Sequence, residues 1–383
     1  MTGHLEKRSK SGWRIVIEGG RDARTGARRR IVRSVKGNRR RAEEEMHRLL
    51  HELEVGTYVE PSKLTLADYL RRWLQDYCEP RLAPNTIDGY RRLLEGHIIP
   101  RLGALKLRQL QPLHLQDFYS EMLRAGRKDG KGGLSARSVQ YMHRIIHEAL
   151  GHAVKWQLVA RNVADAAEAP RPHRPTLVVL DVDGARRLLR AAEGHPDEAL
   201  VRVALLTGLR RGELLALRWT DVDLAAGQLR VTRAATRLQG RTMYREPKSS
   251  RSRRTVALPP SVVAVLKAHR KRQLEERLRL GARPPEGGDD LVFCRPDARP
   301  LDPSGVSHRL RCLASAAGVP GLRFHDLRHA CATLMLAQGT HPKVVQERLG
   351  HETITTTMDI YSHVLPGLQE QAAARLDELL GES

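Results

Sequence analysis

The sequence is poor in aromatic residues and has no long apolar run, and both absences restrict what the chain can do. Phe, Trp and Tyr make up 4% of its 383 residues, whereas proteins that bind single-stranded nucleic acid usually stack bases on aromatic rings. No window approaches the roughly 18 consecutive apolar residues of a membrane-spanning helix. The first residues also lack the apolar stretch of a secretory signal. We therefore expect a soluble, cytoplasmic protein with no membrane partner.

Cysteines and metal-binding motifs are equally scarce. The chain has four cysteines, none of them in a CxxC pair or beside a histidine at zinc-ligand spacing, and we expect them to be reduced and mostly buried. It also lacks a Walker glycine loop, an HExxH motif, a G-x-S-x-G elbow and the clustered carboxylates of a two-metal nuclease. The sequence therefore predicts neither a metal nor another cofactor. Chemistry on a phosphodiester would have to rely on cationic side chains.

Basic residues outnumber acidic ones, and the surplus is concentrated near the N-terminus. There are 66 Lys and Arg against 44 Asp and Glu, which gives a formal net charge of +22, and the first 41 residues alone hold 14 basic and 3 acidic residues. Lys and Arg displace the counterions that condense on phosphates, so such a surplus is typical of proteins that bind nucleic acid. Because aromatic residues are few, double-stranded DNA is the favoured partner, and the expected cytoplasmic location then means association with the nucleoid.

The N-terminal region has the pattern of a small folded module. Trp13–Ile17 and Arg30–Val35 alternate as strands do, with turn signals at Gly19-Gly20 and Thr25-Gly26 between them. A helical pattern over about residues 40–54 follows. We interpret residues 1–60 as a basic DNA-binding module made of a three-stranded sheet and a helix, because a disordered tail would lack this alternation.

A helical pattern fills residues 64–169. Thr65 is a candidate N-cap for the first helix of this stretch, Asn85 or Thr86 for the second, and Ser135 for the fourth. We interpret the stretch as a separate helical domain with basic faces.

Prolines mark the next boundary, because three of them fall between residues 169 and 175 and proline cannot continue a helix. Residues 176–383 begin with helical patterns, show strand-like alternation at 228–232, 242–246 and 253–258, and then return to helix. The predicted fold class is therefore mainly α with several domains: the N-terminal β plus helix module, the helical domain, and a mixed α+β domain with a small antiparallel sheet.

Two pairs of charged residues have the spacing of neighbours on a helix face. Arg210 and Glu213 are three residues apart and follow Gly208, and His325 and Arg328 have the same separation. Arginine offers a planar, two-pronged donor for phosphate oxygens, and histidine exchanges a proton near neutral pH. Taken singly, each pair is equally well explained as a surface ion pair or a structural contact.

Three further residues complete a candidate reaction centre. Tyr361 is a weak nucleophile unless a proton acceptor and positive charge lie nearby, and His351 precedes it by ten residues. Lys248 lies between two predicted strands, where an ammonium group on a flexible stem could protonate a leaving oxygen, although Lys267 and Lys271 are alternatives for this role. Each of these residues alone would be explained by packing or by solvation.

Together these residues resemble a known catalytic set. Glu213 stands at the acidic position after the first arginine of that set. In chain order, the remaining residues are similar to the catalytic residues of the tyrosine recombinases of the phage-integrase type: Arg210, Lys248, His325, Arg328, His351 and Tyr361. The similarity is specific over residues 207–217, 324–339 and 349–364.

The resemblance implies a site-specific DNA recombinase, an integrase that cleaves and rejoins duplex DNA through a covalent 3′-phosphotyrosine intermediate. Residues 1–60 resemble the arm-site-binding domains of larger integrases, residues 64–169 the core-site DNA-binding domain, and residues 176–383 the catalytic domain. The resemblance also implies a homotetramer on DNA, DNA-bending or directionality proteins as further partners, and the integration or excision of a mobile element.

Two other classes of protein remain open from the residues alone. A type IB topoisomerase uses the same phosphotyrosine chemistry on one duplex, although the basic N-terminal module and the spacing from Leu349-Gly350-His351 to Tyr361 favour a recombinase. A non-catalytic architectural DNA-binding protein would carry the catalytic set only as a vestige, and every position of that set is occupied.

Overall fold

The computed structural model describes residues 2–9, 12–21, 28–55, 63–173, 180–238, 240–246, 253–281, 290–355, 357–358 and 377. Over these residues the chain is mainly helical, with three small antiparallel sheets. It divides into two units, Met1–Arg174 and Pro175–Ser383. None of the described helices is both long and apolar enough to span a bilayer.

The N-terminal part of the first unit is a three-stranded sheet packed on one helix. Strands β1 (Thr2–Ser9), β2 (Gly12–Arg21) and β3 (Arg28–Lys36) pair antiparallel in that order, and helix α1 (Arg39–Glu54) contacts all three. The predicted sheet and helix are therefore confirmed. Four buried apolar side chains form the core of this part: Ile15, Ile17, Ile31 and Leu49.

Of the two predicted turns in this sheet, the one at Gly19-Gly20 was wrong, and the one at Thr25-Gly26 lies outside the described residues. Gly19-Gly20 lies inside β2, and the register between β2 and β3 shifts between Gly19 and Arg21. An extra residue on one strand bends that strand and leaves the pairing on either side intact, and glycine tolerates such a bulge. The glycine pair therefore marks an irregularity within a long strand, and the strand ends only after it.

Helices form the rest of the first unit around a second core. They are α2 (Leu66–Trp73), α3 (Pro84–Leu93), α4 (Ile99–Leu102), α5 (Pro112–Ala125) and α6 (Ala136–Lys155). Short π-helical segments at Leu74–Cys78 and Leu94–Ile98 continue α2 and α3. The side chains of Tyr69, Trp73 and Tyr119 are fully buried in this core.

The starts of these helices test the predicted caps. Thr65 and Ser135 cap α2 and α6, each accepting a backbone N–H hydrogen bond at its side-chain oxygen, as predicted. The predicted cap at Asn85 or Thr86 was wrong, because α3 already begins at Pro84. Proline at the first helical position lacks only an N–H group that would have no partner within the helix, so it can start the helix without a side-chain cap.

Helices also dominate the second unit and enclose its large apolar core. They are α7 (Val182–Ala192), α8 (Glu198–Thr207), α9 (Arg211–Leu215), α10 (Pro260–Leu280), α11 (Pro303–Ala316), α12 (Phe324–Ala337) and α13 (Pro342–Leu349).

The described strands of the second unit are β4 (Val222–Asp223), β5 (Gln228–Val231), β6 (Ala234–Leu238), β7 (Arg241–Arg245) and β8 (Arg254–Ala257). They form two small antiparallel sheets with the strand orders β4-β5-β8 and β6-β7. The three predicted strand stretches are therefore present. Their apolar residues alternate inward, and Leu229, Val231 and Val256 are buried.

The four cysteines are free thiols, and their burial was only partly predicted. Cys78 and Cys331 are buried, whereas Cys294 is half-buried and Cys312 is exposed. The expectation that most of them would be buried was therefore wrong. Cys312 lies on the outward side of α11, next to the inward-facing Leu313.

Candidate active site

Arg210 and Glu213 are held together at the start of α9. The backbone N–H of Arg210 donates to Oε2 of Glu213 at 2.9 Å, and the guanidinium Nη1 donates to Oε1 at 2.8 Å. The side chain of Glu213 is only 4% exposed, whereas that of Arg210 is 40% exposed. The short helix therefore keeps its carboxylate inside and leaves part of the guanidinium open to a ligand.

Gly208 makes the turn between α8 and this pair. Its φ of +65° places it in the left-handed region, which glycine adopts without a steric penalty. A Cβ at this position would lie 2.2 Å from Cδ2 of Leu349, so the end of α13 packs directly against the glycine. The Gly208 carbonyl accepts a hydrogen bond from Nη1 of Arg328 at 2.8 Å.

Arg328 lies in the first turns of α12 and is 3% exposed. Its Nη2 is buried and has no hydrogen-bond partner among the residues that the structure describes. Burial, followed by the positive charge of Arg210, lowers the pKa of Arg328. Buried donors without a partner are rare in folded proteins, so this guanidinium has the capacity to bind an incoming anion.

His351 follows the left-handed cap of α13. Gly350 ends that helix with a φ of +67°, and its carbonyl accepts from Nη2 of Arg210 at 2.9 Å. His351 is buried, and its Nδ1 is hydrogen-bonded to Oγ1 of Thr357 at 2.9 Å. Burial, together with the charges of Arg328 and Arg210, lowers the pKa of His351 to about 4. The imidazole is therefore neutral at physiological pH.

His325 is influenced by Arg210 and Arg328, the same positive charges that act on His351. Its ring meets that of His329 edge to face, with the ring centroids 4.8 Å apart. Burial lowers the pKa of both imidazoles, and the charges of His329, Arg328 and Arg210 lower that of His325 further. Near neutral pH both rings can accept a proton.

Arg254, at the start of β8, is a member of this cluster that the sequence analysis missed. It donates through Nη1 and Nη2 to the two carboxylate oxygens of Glu213, at 3.2 and 2.9 Å, and its side chain is 6% exposed. Burial raises the pKa of Glu213, but the hydrogen bonds and charge of Arg254, with those of Arg210, outweigh it and lower the pKa overall. Glu213 is therefore an anion shared by two arginines. A signal for Arg254 was available, because it alternates with Val256 and Leu258.

The structure brings together five predicted residues through these contacts: Arg210, Glu213, His325, Arg328 and His351. The other two, Lys248 and Tyr361, lie outside the described residues. Within the described ranges, no group of three or more His, Cys, Asp or Glu side chains is arranged to hold a metal ion. The cluster combines fixed guanidinium donors with neutral imidazoles, which suits the binding of a phosphodiester and the transfer of a proton.

The sequence of the chain matches one family over both units. Residues 179–367 match the Phage integrase family, and residues 65–123 match its N-terminal SAM-like domain. An integrase of Streptomyces ambofaciens is 30% identical over 358 residues, which cover 91% of this chain and 89% of that protein. A tyrosine recombinase XerC-like protein of Caldanaerobacter subterraneus subsp. tengcongensis is 28% identical over 393 residues, or 97% of each chain. The chain belongs to the phage integrase family of tyrosine recombinases.

Solved structures confirm the predicted fold class. The Tn1549 transposon integrase in complex with a circular intermediate DNA superposes with a TM-score of 0.68 at 20% identity, covering 83% of this chain and 100% of that one. A lambda integrase tetramer bound to a Holliday junction gives 0.57 at 20% identity, covering 93% and 94%. With the family established, the chain is a tyrosine-type site-specific DNA recombinase, an enzyme that breaks and rejoins DNA strands.

Gly208→Ala should destabilise the protein more than Gly194→Ala. Both glycines have a positive φ, +65° and +71°, and a side chain in that region costs roughly 1–2 kcal/mol. At Gly208 the new Cβ would also collide with Leu349, whereas nothing lies within 4 Å at Gly194. Overpacking typically adds about 1–3 kcal/mol. Denaturant unfolding of both variants measures the difference, and equal losses would contradict the close contact with α13.

His351→Gln should weaken the acid sensitivity of the fold. The folded pKa of about 4 lies below the unfolded value of about 6.5, so protons bind preferentially to the unfolded chain. Stability therefore falls as the pH drops below the unfolded pKa, and through this group the native protein loses about 2 kcal/mol between pH 7 and pH 5. Free energies of unfolding measured at both pH values should show that the variant loses correspondingly less. An unchanged difference would place the pKa of His351 near its ordinary value.

Proposed function

We propose that the clustered cations bind the scissile phosphate of DNA, with Glu213 in a supporting role and the catalytic residues being Arg210, Lys248, His325, Arg328, His351 and Tyr361. The observation that carries this proposal is the guanidinium of Arg328, which is buried beside Arg210 with a donor that has no partner in the described chain. A phosphate oxygen offers both the missing acceptor and the negative charge.

The proposed reaction is a transesterification. Oη of Tyr361 attacks the scissile phosphorus, the bond from phosphorus to the 5′-oxygen breaks, and the phosphate becomes a 3′-phosphotyrosyl ester. Arg210 and Arg328 bind the non-bridging oxygens, where charge accumulates in the transition state. The energy of the phosphodiester is kept in the new ester, so a 5′-hydroxyl of the partner duplex can attack it and join the strands without ATP.

Each proton in this scheme has an assigned residue. His325 accepts the proton of the Tyr361 hydroxyl, and its lowered pKa supports this role because a neutral imidazole is required. His351, also neutral, forms a hydrogen bond with the phosphate. Lys248 gives a proton to the departing 5′-oxygen.

Each part of the chain is assigned the role that the corresponding domain has in the family. Residues 176–383 form the catalytic domain, residues 64–169 bind the core site, and residues 1–60 bind arm sites. The family matches at residues 65–123 and 179–367 support the first two assignments. The basic surplus of the N-terminal residues supports the third.

DNA is the principal partner of this arrangement. A groove beside His325 is lined by Arg211, Arg311 and Arg323, so cationic side chains continue away from the phosphate site. We infer a homotetramer on two duplexes, because a lambda integrase of the same fold forms a tetramer on a Holliday junction. The similarity to integrases supports integration and excision of a mobile element. DNA-bending or directionality proteins would act as accessory partners. The reaction would take place in the cytoplasm, on the nucleoid.

The native protein should form a covalent adduct with a core-site duplex that carries a nick next to the point of attack. The nick lets the short cleaved strand diffuse away, so the phosphotyrosyl ester accumulates. Tyr361→Phe lacks the nucleophile and should give no adduct, while its affinity for the same duplex stays unchanged. A native protein that binds but never links to DNA would favour an architectural role. Relaxation of supercoils on a single duplex, without strand exchange, would favour a topoisomerase.

The same assay can identify the lysine that acts as the acid. In a 5′-bridging phosphorothiolate the leaving atom is sulfur, which departs as a thiolate and needs no proton. Lys248→Ala should therefore react slowly with the ordinary phosphodiester and at nearly the native rate with the phosphorothiolate. Lys267→Ala and Lys271→Ala serve as matched controls. If one of them behaves in this way and Lys248→Ala does not, the assignment moves to that lysine.

Removal of residues 1–54 should separate the two DNA-binding functions. The truncated protein keeps the helical and catalytic parts, so we expect it to cleave isolated core sites at the native rate. Integration between full attachment sites should fall strongly, because arm contacts are lost. The two reactions can be compared on the same preparation. Full integration by the truncated protein would contradict the role assigned to the N-terminal module.

A further inference from the structure

Arg254 connects three segments of the candidate site, although it belongs to none of the sequence motifs. Its Nη1 and Nη2 donate to Glu213 in α9 at 3.2 and 2.9 Å, and its Nε donates to the backbone carbonyl of Arg348 in α13 at 2.7 Å. All of its N–H-bearing nitrogens are thus engaged by two different elements. A rigid guanidinium bound in this way fixes the positions of its partners relative to each other.

The first partner, Glu213, is also the carboxylate that Arg210 binds. Of the two arginines that share this anion, Arg254 has the more buried side chain, 6% exposed against 40% for Arg210. Electrostatic attraction is stronger away from water, so Arg254 takes the larger part of the negative charge. The positive charge of Arg210 is therefore left available for a phosphate.

The second partner lies beside the other anchor of Arg210. Arg348 is the penultimate residue of α13, and Gly350, whose carbonyl binds Nη2 of Arg210, follows two residues later. Arg254 therefore holds both the carboxylate and the helix end that orient Arg210. His351 continues directly from the same helix end.

We propose that Arg254 is a positioning residue of the recombinase: by fixing Glu213 and the last turn of α13, it sets the guanidinium of Arg210 towards the scissile phosphate. This inference rests on the phosphate-binding role proposed for Arg210. Arg254 itself makes no contact with DNA in this scheme. Without it, the buried carboxylate of Glu213 draws Arg210 inward, and the cluster loses more of its affinity for the transition state than for the phosphate of the bound substrate.

Single-turnover cleavage of the nicked duplex at saturating DNA tests this role. Arg254→Gln should slow adduct formation by about 10–100-fold, the effect of a small misplacement of a catalytic group, with little change in DNA affinity. Arg254→Lys keeps the positive charge but lacks the planar, two-pronged guanidinium group, so it should be faster than Arg254→Gln but slower than the native protein. The matched control is Arg277→Gln, which removes an equally buried arginine of α10 that is paired with Asp290. It should lower the melting temperature without slowing cleavage by the folded protein.

A substrate with a neutral phosphorus centre distinguishes positioning from a general loss of structure. In a methylphosphonate, a methyl group replaces one non-bridging oxygen and removes the negative charge that Arg210 would bind. Arg254→Gln should be far less impaired on this linkage than on the phosphodiester, and the ratio of the two rates does not depend on how much of the variant is folded. Equal impairment on both substrates would overturn the proposal.

A double-mutant cycle that combines Arg254→Gln with Glu213→Gln tests the positioning role independently. It can be used even if the native protein does not cleave the methylphosphonate. Because both residues act through Arg210, the double variant should be hardly slower than the slower single variant. If the rate losses of the two single variants multiply in the double variant, the inference is overturned. A native protein that forms no Tyr361-dependent adduct refutes the proposed function itself, whereas native cleavage with an unimpaired Arg254→Gln refutes only the positioning role.

Discussion

The second unit has to hold several positive charges around one buried site, and the shape of the site follows from how their repulsion is offset. Arg210, Arg254 and Arg328 influence the same buried groups, and the carboxylate of Glu213 is the anion bound by two of them. Backbone carbonyls at two helix ends supply further, partial negative charge. Carbonyls at the C-terminus of a helix carry partial negative charge, and the left-handed caps at Gly208 and Gly350 aim them at Arg328 and Arg210.

This arrangement leaves the cluster short of negative charge in the absence of a substrate. One carboxylate cannot neutralise three guanidinium groups, and the pKa of Arg328 is lowered as a result of burial and of the charge of Arg210. Burial, followed by the surrounding positive charges, lowers the pKa of His325 and His351 and keeps these imidazoles neutral. The same deficit supports the proposed binding of a phosphate and contributes to the presence of a proton acceptor at neutral pH.

The candidate site residues that lie in recognisable motifs could be identified from the sequence. Arg254, which lies between those motifs, was missed. Arg210 with Glu213, and His325 with Arg328, are local i, i+3 pairs, so their association could be inferred without coordinates. Arg254 stands in a stretch rich in arginine, and whether one of these side chains is buried depends on the partners that face its strand. The same limit applied elsewhere: Thr65 and Ser135 were recognisable caps, but Pro84 displaced the expected start of α3, and Gly19-Gly20 became a bulge within β2.

The hydrogen bonds that Arg210 and Arg328 make across the second unit have a consequence for the order in which the candidate site forms. Arg210 binds a carbonyl 140 residues further along the chain, and Arg328 binds one 120 residues back. Arg210 cannot form its contact until residue 350 has been synthesised, whereas Arg328 finds its partner in a segment that was made earlier. A nascent chain that ends before residue 328 can form neither of these hydrogen bonds, so the arrangement of the two arginines is completed only late in synthesis.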